Sequence, residues 1–300
     1  MKPLLKPGVT SINHHYIPEL YLNGFCRSDG TFDIYDKQYG QFKNKTRTPK
    51  TVFFEKGKNT IIFCGQSTDH IEKQYSALES DFGRFFNLTR DGMPSDQLLN
   101  ADGIRILKQY IAIQFWRLPL LDKFADQYLR TRTLAEIERY CKVSNPPMPS
   151  QKVFELIQSD AGARHYFRSF ILPLVTFNLN RPIPDAMKWA ILDLEKPNNL
   201  CSDAPFIFFD NPENLMEFSG PFIFPLSNSK LLVSKLRSNT ATSFDPAMST
   251  RISILIYLQA VRYVATSNKS YLEKIIELSE SYAGTTGIMR LQSELLGYIE

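Results

Sequence analysis

The sequence predicts an α+β fold, with short strands in a mixed or antiparallel sheet, a helical middle segment and a helical C-terminal tail. Three observations predict it. Strand-like alternation is confined to two regions, residues 31–63 and 188–233. Apolar residues at helical spacing fill the stretch between them and return after Ser249. Strands and helices do not alternate one for one, as a doubly wound sheet requires. We read residues 1–300 as one α+β domain. It divides into an N-terminal arm and β region (1–66), a helical region (67–180), a second β region (181–245) and C-terminal helices (246–300). Both β regions are expected to meet in one sheet.

Taken in order, Thr31-Phe32-Asp33-Ile34-Tyr35-Asp36 alternates with the strand period between Gly30 and Gly40, and Thr51–Phe54 and Thr60–Phe63 are further strand candidates. From Ser67 the period changes. Ile71, Tyr75, Leu78, Phe82 and Phe86 form the apolar stripe of a long helix, which Ser67 and Thr68 can cap. A second helix runs from Ser95 to Leu118, where Pro119 must end it. A third spans Leu121–Cys141. The run Ser144-Asn145-Pro146-Pro147-Met148-Pro149-Ser150 breaks the chain before two more helices, Gln151–Ser159 and Arg164–Asn178. After Pro182-Ile183-Pro184, short aromatic or β-branched strands return at Lys188–Leu194, Phe206–Phe209, Phe222–Phe224 and Leu231–Val233. The tail is helical from Ser249, with later helices at Ser270–Ser281 and Gly287–Ile299.

Composition excludes several classes. An apolar fraction of 43% with 22 Phe and 14 Tyr can bury a core and rules out a disordered or fibrous chain. The four cysteines, Cys26, Cys64, Cys141 and Cys201, are too dispersed for a local zinc knuckle or redox dithiol. The N-terminus lacks the apolar run of a secretory signal. The apolar stretch Ile252–Val264 contains Gln259 and Arg262 and is too short to span a bilayer. A cytoplasmic protein with reduced thiols and no membrane association is expected. The balance of 35 basic against 31 acidic residues, net +4, permits a nucleic-acid partner without requiring one.

Few side chains can carry chemistry. His14-His15-Tyr16-Ile17-Pro18 is the most unusual local feature. Adjacent histidines point apart in a helix or strand, so one of them faces any given site. An imidazole there suits a general base, a metal ligand or a phosphate contact. Alternatively, Tyr16, Tyr21 and Phe25 simply dock an arm whose histidines bond to backbone. His70 and His165 stand near helix starts and have only a structural reading. Glu72 and Glu79 lie two helical turns apart, at about 100° and 80° from Ile71, bordering the buried stripe. That suits a metal-binding or acid–base pair, and equally an ordinary amphipathic helix. Gln114 and Arg117 lie on a helix that is apolar nearly all round, so Arg117 is an internal clamp or an anion ligand. Asp203, in Cys201-Ser202-Asp203-Ala204-Pro205, presents a carboxylate at a sheet edge or closes an Asx turn. Between Lys37 and Lys58, seven Lys or Arg face one acid, Glu55, with aromatics interleaved. Lys43, Lys45, Arg47 and Lys50 there are candidate nucleic-acid contacts, set against the reading of a solvated surface.

The HHYIP run with Tyr21, Leu22 and Phe25, then Phe32–Asp36, Ile71-Glu72, Glu79, Gln114-Phe115-Trp116-Arg117, Ser202-Asp203-Ala204-Pro205, Phe224-Pro225-Leu226-Ser227 and Ala260–Val264 resembles the bacterial domain of unknown function 4238 family. These motifs occur in that family's order and cover nearly the whole chain. The family commonly has asparagine after the Ser-Asp pair. Ala204 replaces it here, which removes an amide and leaves Asp203. The resemblance implies a cytoplasmic stand-alone protein without an assigned activity, and it makes His14, His15, Glu72, Glu79, Arg117 and Asp203 signature positions.

Histidine, paired carboxylates, a buried arginine and an aspartate fit phosphodiester cleavage. In that reading Glu72 and Glu79 hold Mg²⁺ or Mn²⁺, His14 or His15 moves a proton, and Arg117 neutralises the developing charge with Asp203 alongside. The leading expectation is therefore a nuclease-like hydrolase, a toxin or antiviral defence effector acting on RNA or DNA. The alternative is a non-catalytic nucleic-acid- or protein-binding module with a buried His/Arg/Asp network. No phosphate loop, GxSxG elbow or dinucleotide fingerprint is present to favour another chemistry. Proximity decides between the two: a catalytic His14 or His15 must lie near Glu79, Arg117 and Asp203.

Overall fold

A computed structural model describes residues 13–63, 66–141, 150–177, 179, 188–209, 215–235, 243–244 and 246–299. The α+β expectation holds, but the strands form four small sheets instead of one. β1 (Asn13–His15) pairs antiparallel with β4 (Phe54–Lys56). β2 (Asp33–Asp36) and β3 (Gln41–Phe42) join β8 (Cys201–Ser202) and β13 (Tyr263–Thr266) in a four-stranded sheet. β5 (Ile61–Phe63) and β6 (Gln66–Thr68) form a separate ribbon. Among the described residues, the two β regions thus meet only through β2, β13 and β8. The remaining strands, β7 (Lys188–Leu194), β9 (Ile207–Phe208), β10 (Phe222–Pro225), β11 (Lys230–Lys235) and β12 (Ser243–Phe244), form a mixed sheet in the order 12-7-11-10-9.

Both faces of that mixed sheet are covered, which explains why its strands read as apolar runs. Phe222, Phe224 and Leu232 point into one core cluster, while Ile223, Leu231 and Val233 point into another. The first cluster is built with the helical region: α2 (His70–Arg90), α4 (Ala101–Arg117), α5 (Asp122–Arg130), α6 (Leu134–Cys141), α7 (Ser150–Ser159), α8 (Ala161–Tyr166) and α9 (Leu172–Val175). The second lies under α10 (Pro246–Gln259), α11 (Lys269–Ser279) and α12 (Thr285–Ile299).

Several boundaries differ from expectation for identifiable reasons. Ser67 and Thr68 belong to β6. The helix starts at His70 with Asp69 before it, and Thr68 Oγ1 accepts a bond from the His70 N–H at 3.2 Å. The helix expected from Ser95 is broken into α3 (Ser95–Leu98) and α4, because Asn100 caps the second piece by accepting from the Gly103 N–H. Pro119 does end α4, with Leu118 turned to ψ 127°. The Leu121–Cys141 helix is interrupted at residues 131–133. There Thr133 and Glu136 exchange bonds as a capping box, Thr133 N–H to Glu136 Oε2 at 2.7 Å and Glu136 N–H to Thr133 Oγ1 at 3.4 Å. A π-helical turn, Phe167–Ile171, lies between α8 and α9. The break over 144–149 and the turn at Pro182–Pro184 fall outside the described residues.

The N-terminal arm is docked by aromatics. After β1, Pro18 leads into α1 (Glu19–Leu22), and Ile17, Tyr21, Leu22 and Phe25 are fully buried. Tyr21 stacks on Phe224 with centroids 5.3 Å apart and donates its hydroxyl to the Pro225 carbonyl at 2.7 Å. Burying a side chain of this size contributes about 2–3 kcal/mol. Gly24 sits where a Cβ would come within 3.2 Å of the Leu226 carbonyl, and its own carbonyl accepts from the Asn228 N–H.

At the start of α4 the packing is tighter still: a Cβ on Gly103 would fall 1.8 Å from the Leu98 carbonyl oxygen. Gly103→Ala is expected to lower the unfolding free energy by about 2 kcal/mol or more, because backbone must move to admit the methyl group. Urea denaturation measures this, and a loss below about 0.5 kcal/mol refutes it.

Candidate functional site

The β1–β4 ladder, with His14 opposite Glu55 and His15 opposite Phe54, sends the two imidazoles to different surroundings. His14 is fully buried, and its Nδ1 accepts from the Asn59 N–H at 2.7 Å. The Asn59 side-chain amide donates in turn to Glu72 Oε1, tying the arm to α2. His15 meets Phe54 edge-on at 5.6 Å, and its Nδ1 lies 3.7 Å from Glu19. Its Nε2 is buried with no hydrogen-bond partner. Burial holds the His15 pKa below the usual histidine range. Glu19, the Pro49 carbonyl and Glu72 oppose that effect and Arg117 adds to it, and the net direction is downward.

Arg117, at the end of α4, is 6% exposed. Its guanidinium donates to the His15 carbonyl, lies 3.6 Å from Glu79 Oε1 and stacks over the Tyr75 ring at 4.2 Å. Its Nε has no partner. One turn earlier, Gln114 donates to the Tyr16 carbonyl at 2.8 Å, so two successive arm carbonyls are held from one helix. Tyr75 is fixed by donating its hydroxyl to the Ser169 carbonyl. Burial pushes the Glu79 carboxyl above its usual pKa against the downward pull of Arg117. Backbone strain lies alongside: Phe53, a buried bulky residue, has φ 54°, and its carbonyl accepts from the Tyr16 N–H at 2.9 Å. Such a conformation costs about 1–3 kcal/mol and concentrates at functional sites.

His14, His15, Glu72, Glu79 and Arg117 are therefore brought together. Asp203 lies apart. Its two oxygens accept three backbone N–H bonds, from Val261 at 2.8 Å, Arg262 at 2.8 Å and Tyr263 at 3.0 Å. Burial pushes its carboxyl up and those donors pull it down. It joins the four-stranded sheet to the loop after α10, and the local turn at Ala204 is closed by Ser202 Oγ instead. Burial raises the pKa of the Tyr16 phenol, with a smaller push from Asp203.

Glu72 and Glu79, read as metal ligands, each have a protein partner, Asn59 and Arg117. Among the described residues, no group of three or more His, Cys, Asp or Glu is arranged to hold a metal ion. The basic stretch is divided by use. Lys37 donates to the carbonyls of Tyr257, Leu258 and Ala260 at the end of α10. Lys43 pairs with buried Asp36 at 2.7 Å, and Lys58 with Glu55 and Asp122. Lys45 and Lys50 are exposed, and Arg47 is half-buried in the turn bridging to Phe32. Lys50 follows Pro49, whose carbonyl acts on the His15 ring.

Two contributors were not legible in the sequence. Asn59 follows an unremarkable Gly-Lys turn, and only its contacts reveal the bridge between His14 and Glu72. His165 is more than a helix-start residue. Its Nε2 is buried without a partner, and burial, with the nearby Arg168 and Lys58 charges, lowers its pKa from 6.5 to about 4. Arg168 beside it donates to the Trp116 and Leu118 carbonyls at 2.7 and 2.8 Å and to Asp122 at 2.5 Å, so the π-helical turn caps the end of α4.

A base whose pKa is depressed on folding binds fewer protons in the native than in the unfolded chain. His165 therefore removes stability as pH falls from 6.5 toward about 4. His165→Gln is expected to show a shallower fall in unfolding free energy between pH 7 and about 4.5 than the parent; parallel curves refute this. Asp203→Asn, which replaces one of two acceptor oxygens with a donor, is expected to cost about 2 kcal/mol at pH 7 by denaturant titration. An unchanged midpoint would remove its assigned role.

A family model described as "Protein of unknown function (DUF4238)" matches residues 13–270, from the first residue of β1 into α11. No curated protein and no solved structure matches the chain. Among the described residues, no helix is long and apolar enough to cross a membrane.

Proposed function

The chain belongs to the family Protein of unknown function (DUF4238), whose description assigns no chemistry, and from its own side chains we propose a phosphodiester-cleaving hydrolase acting on RNA or DNA. The observation that carries this reading is His15 Nε2, buried without a partner beside Arg117 and within the field of Glu19 and Glu72. A buried polar atom left unpaired costs about 1–3 kcal/mol, and a ligand or reacting group that completes it is one explanation for its being kept.

The pKa directions suit acid–base work. His15, pushed down, is neutral at pH 7 and able to take a proton; Glu79, pushed up, is suited to return one. Arg117 supplies fixed positive charge for a phosphorane. Because a divalent ion at Glu72 and Glu79 must displace Asn59 and Arg117 from them, we assign proton transfer and charge neutralisation to protein groups. Mg²⁺ or Mn²⁺ then has at most an accessory role. Exposed Lys45 and Lys50, in the stretch between β3 and β4, are assigned to the nucleic-acid backbone. A role as toxin or defence effector belongs to this same reading.

One observation favours the competing view of a binding module with a structural polar network. Most donors at the cluster end on arm backbone or on one another: Arg117 on the His15 carbonyl, Gln114 on the Tyr16 carbonyl and Asn59 on Glu72.

Labelled RNA and DNA incubated with the purified chain, in EDTA and with Mg²⁺ or Mn²⁺, separate the two views. Cleavage is expected, falling about 10²–10⁴-fold in His15→Ala and Glu79→Gln, with thermal unfolding reported for each variant. Cleavage that survives both substitutions removes these residues from the chemistry. Absence of cleavage under every condition, with salt-dependent binding lost in Lys45→Ala/Lys50→Ala, favours the binding module.

A further inference from the structure

Away from the histidine cluster, a cavity of about 410 Å³ opens between the end of β7 and the first turns of α10 and α11. That volume is in the range of small-ligand sites. None of its lining residues takes part in the chemistry assigned above. Two lysines line it from different elements, Lys196 from the loop after β7 and Lys274 from α11. Among the described residues neither forms an ion pair, whereas Lys37, Lys43, Lys58 and Lys230 are each spent on a carbonyl or carboxylate. Hydroxyls of Thr250 and Ser270 share the lining, and Leu194 and Pro246 give it an apolar wall.

We propose that this cavity binds a small organic phosphomonoester, the phosphate between Lys196 and Lys274 and the organic part against Leu194 and Pro246. Two unpaired ammonium groups and one carboxylate, that of Glu195, leave a positive lining that attracts a phosphate group without fully neutralising its nearly double negative charge at pH 7. Leu194 and Pro246 can pack against the carbon skeleton of an ester, which free phosphate lacks. The site is independent of the hydrolase reading and stands or falls without it.

Isothermal titration of the full chain with ribose 5-phosphate, ribose and inorganic phosphate at constant ionic strength tests the assignment. Saturable binding is expected for ribose 5-phosphate, with weaker binding of inorganic phosphate and none of ribose. Lys196→Gln/Lys274→Gln is expected to weaken ribose 5-phosphate binding by at least about tenfold, as loss of charged contacts entails. Lys196→Arg/Lys274→Arg retains it. Both lysines are exposed, so circular dichroism of the variants should be unchanged. No saturable binding of ribose 5-phosphate, or binding indifferent to the Gln pair, overturns the site. Inorganic phosphate binding as tightly as the ester overturns the assignment of an ester.

Discussion

A guanidinium removed from water costs several kcal/mol unless its donors are met, and Arg117 is 6% exposed at the end of a helix whose last eight residues are all buried. For all but Nε the constraint is met by bringing two segments to the end of α4: the arm, through the His15 carbonyl, and α2, through Glu79 and the Tyr75 ring. Gln114 repeats the device one turn earlier on the Tyr16 carbonyl. The arm cannot leave without stranding a charge and an amide in the core. The same contacts that fasten it also hold His15 Nε2 in its dry, unpartnered position. Fastening and candidate chemistry thus share one set of bonds.

The mixed five-stranded sheet partitions the rest. Its helical-region face and the aromatic core built on it carry the arm, α2 and α4, and hence the histidine cluster. Its other face packs under α10, α11 and α12, and the lysine-lined cavity opens beside that layer. Asp203 ties the smaller four-stranded sheet to the loop after α10 through three backbone N–H groups. Arg168 plays a comparable part at the C-terminal end of α4. From within a π-helical turn it bonds the Trp116 and Leu118 carbonyls that Pro119 leaves without helical partners.

Buried charge therefore does two kinds of work. Where every oxygen or nitrogen is met, as at Asp203, Asp36 and Arg168, the group is a fastener whose loss would be felt in stability. Where one atom is left over, as at His15, Arg117 and His165, the protein holds a polar group it has not satisfied. Only the second kind points to a ligand or a reaction, and at His15 and Arg117 the two leftover atoms belong to one cluster.

Local signals were enough for the class of fold, the apolar stripe of α2, the stop at Pro119 and the residue types from which a site could be made. Each depends on spacing along a single element, which a sequence states directly. The capping box at Thr133 and Glu136 was also there to be read, and it explains why the helix expected over Leu121–Cys141 is two. Strand partners were not legible, because a two- or three-residue strand carries too little pattern to specify which edge it joins; β13 therefore reads as the end of a helix, and one expected sheet became four. Nor was the split among the signature residues. His14, Asp203 and Arg117 are equally polar and equally isolated in the sequence. Whether an atom is satisfied depends on neighbours from 45 to 102 positions away, such as Asn59, Tyr263 and His15. By itself the sequence determined which side chains are available, and the tertiary structure alone decided which of them were consumed in holding the chain together.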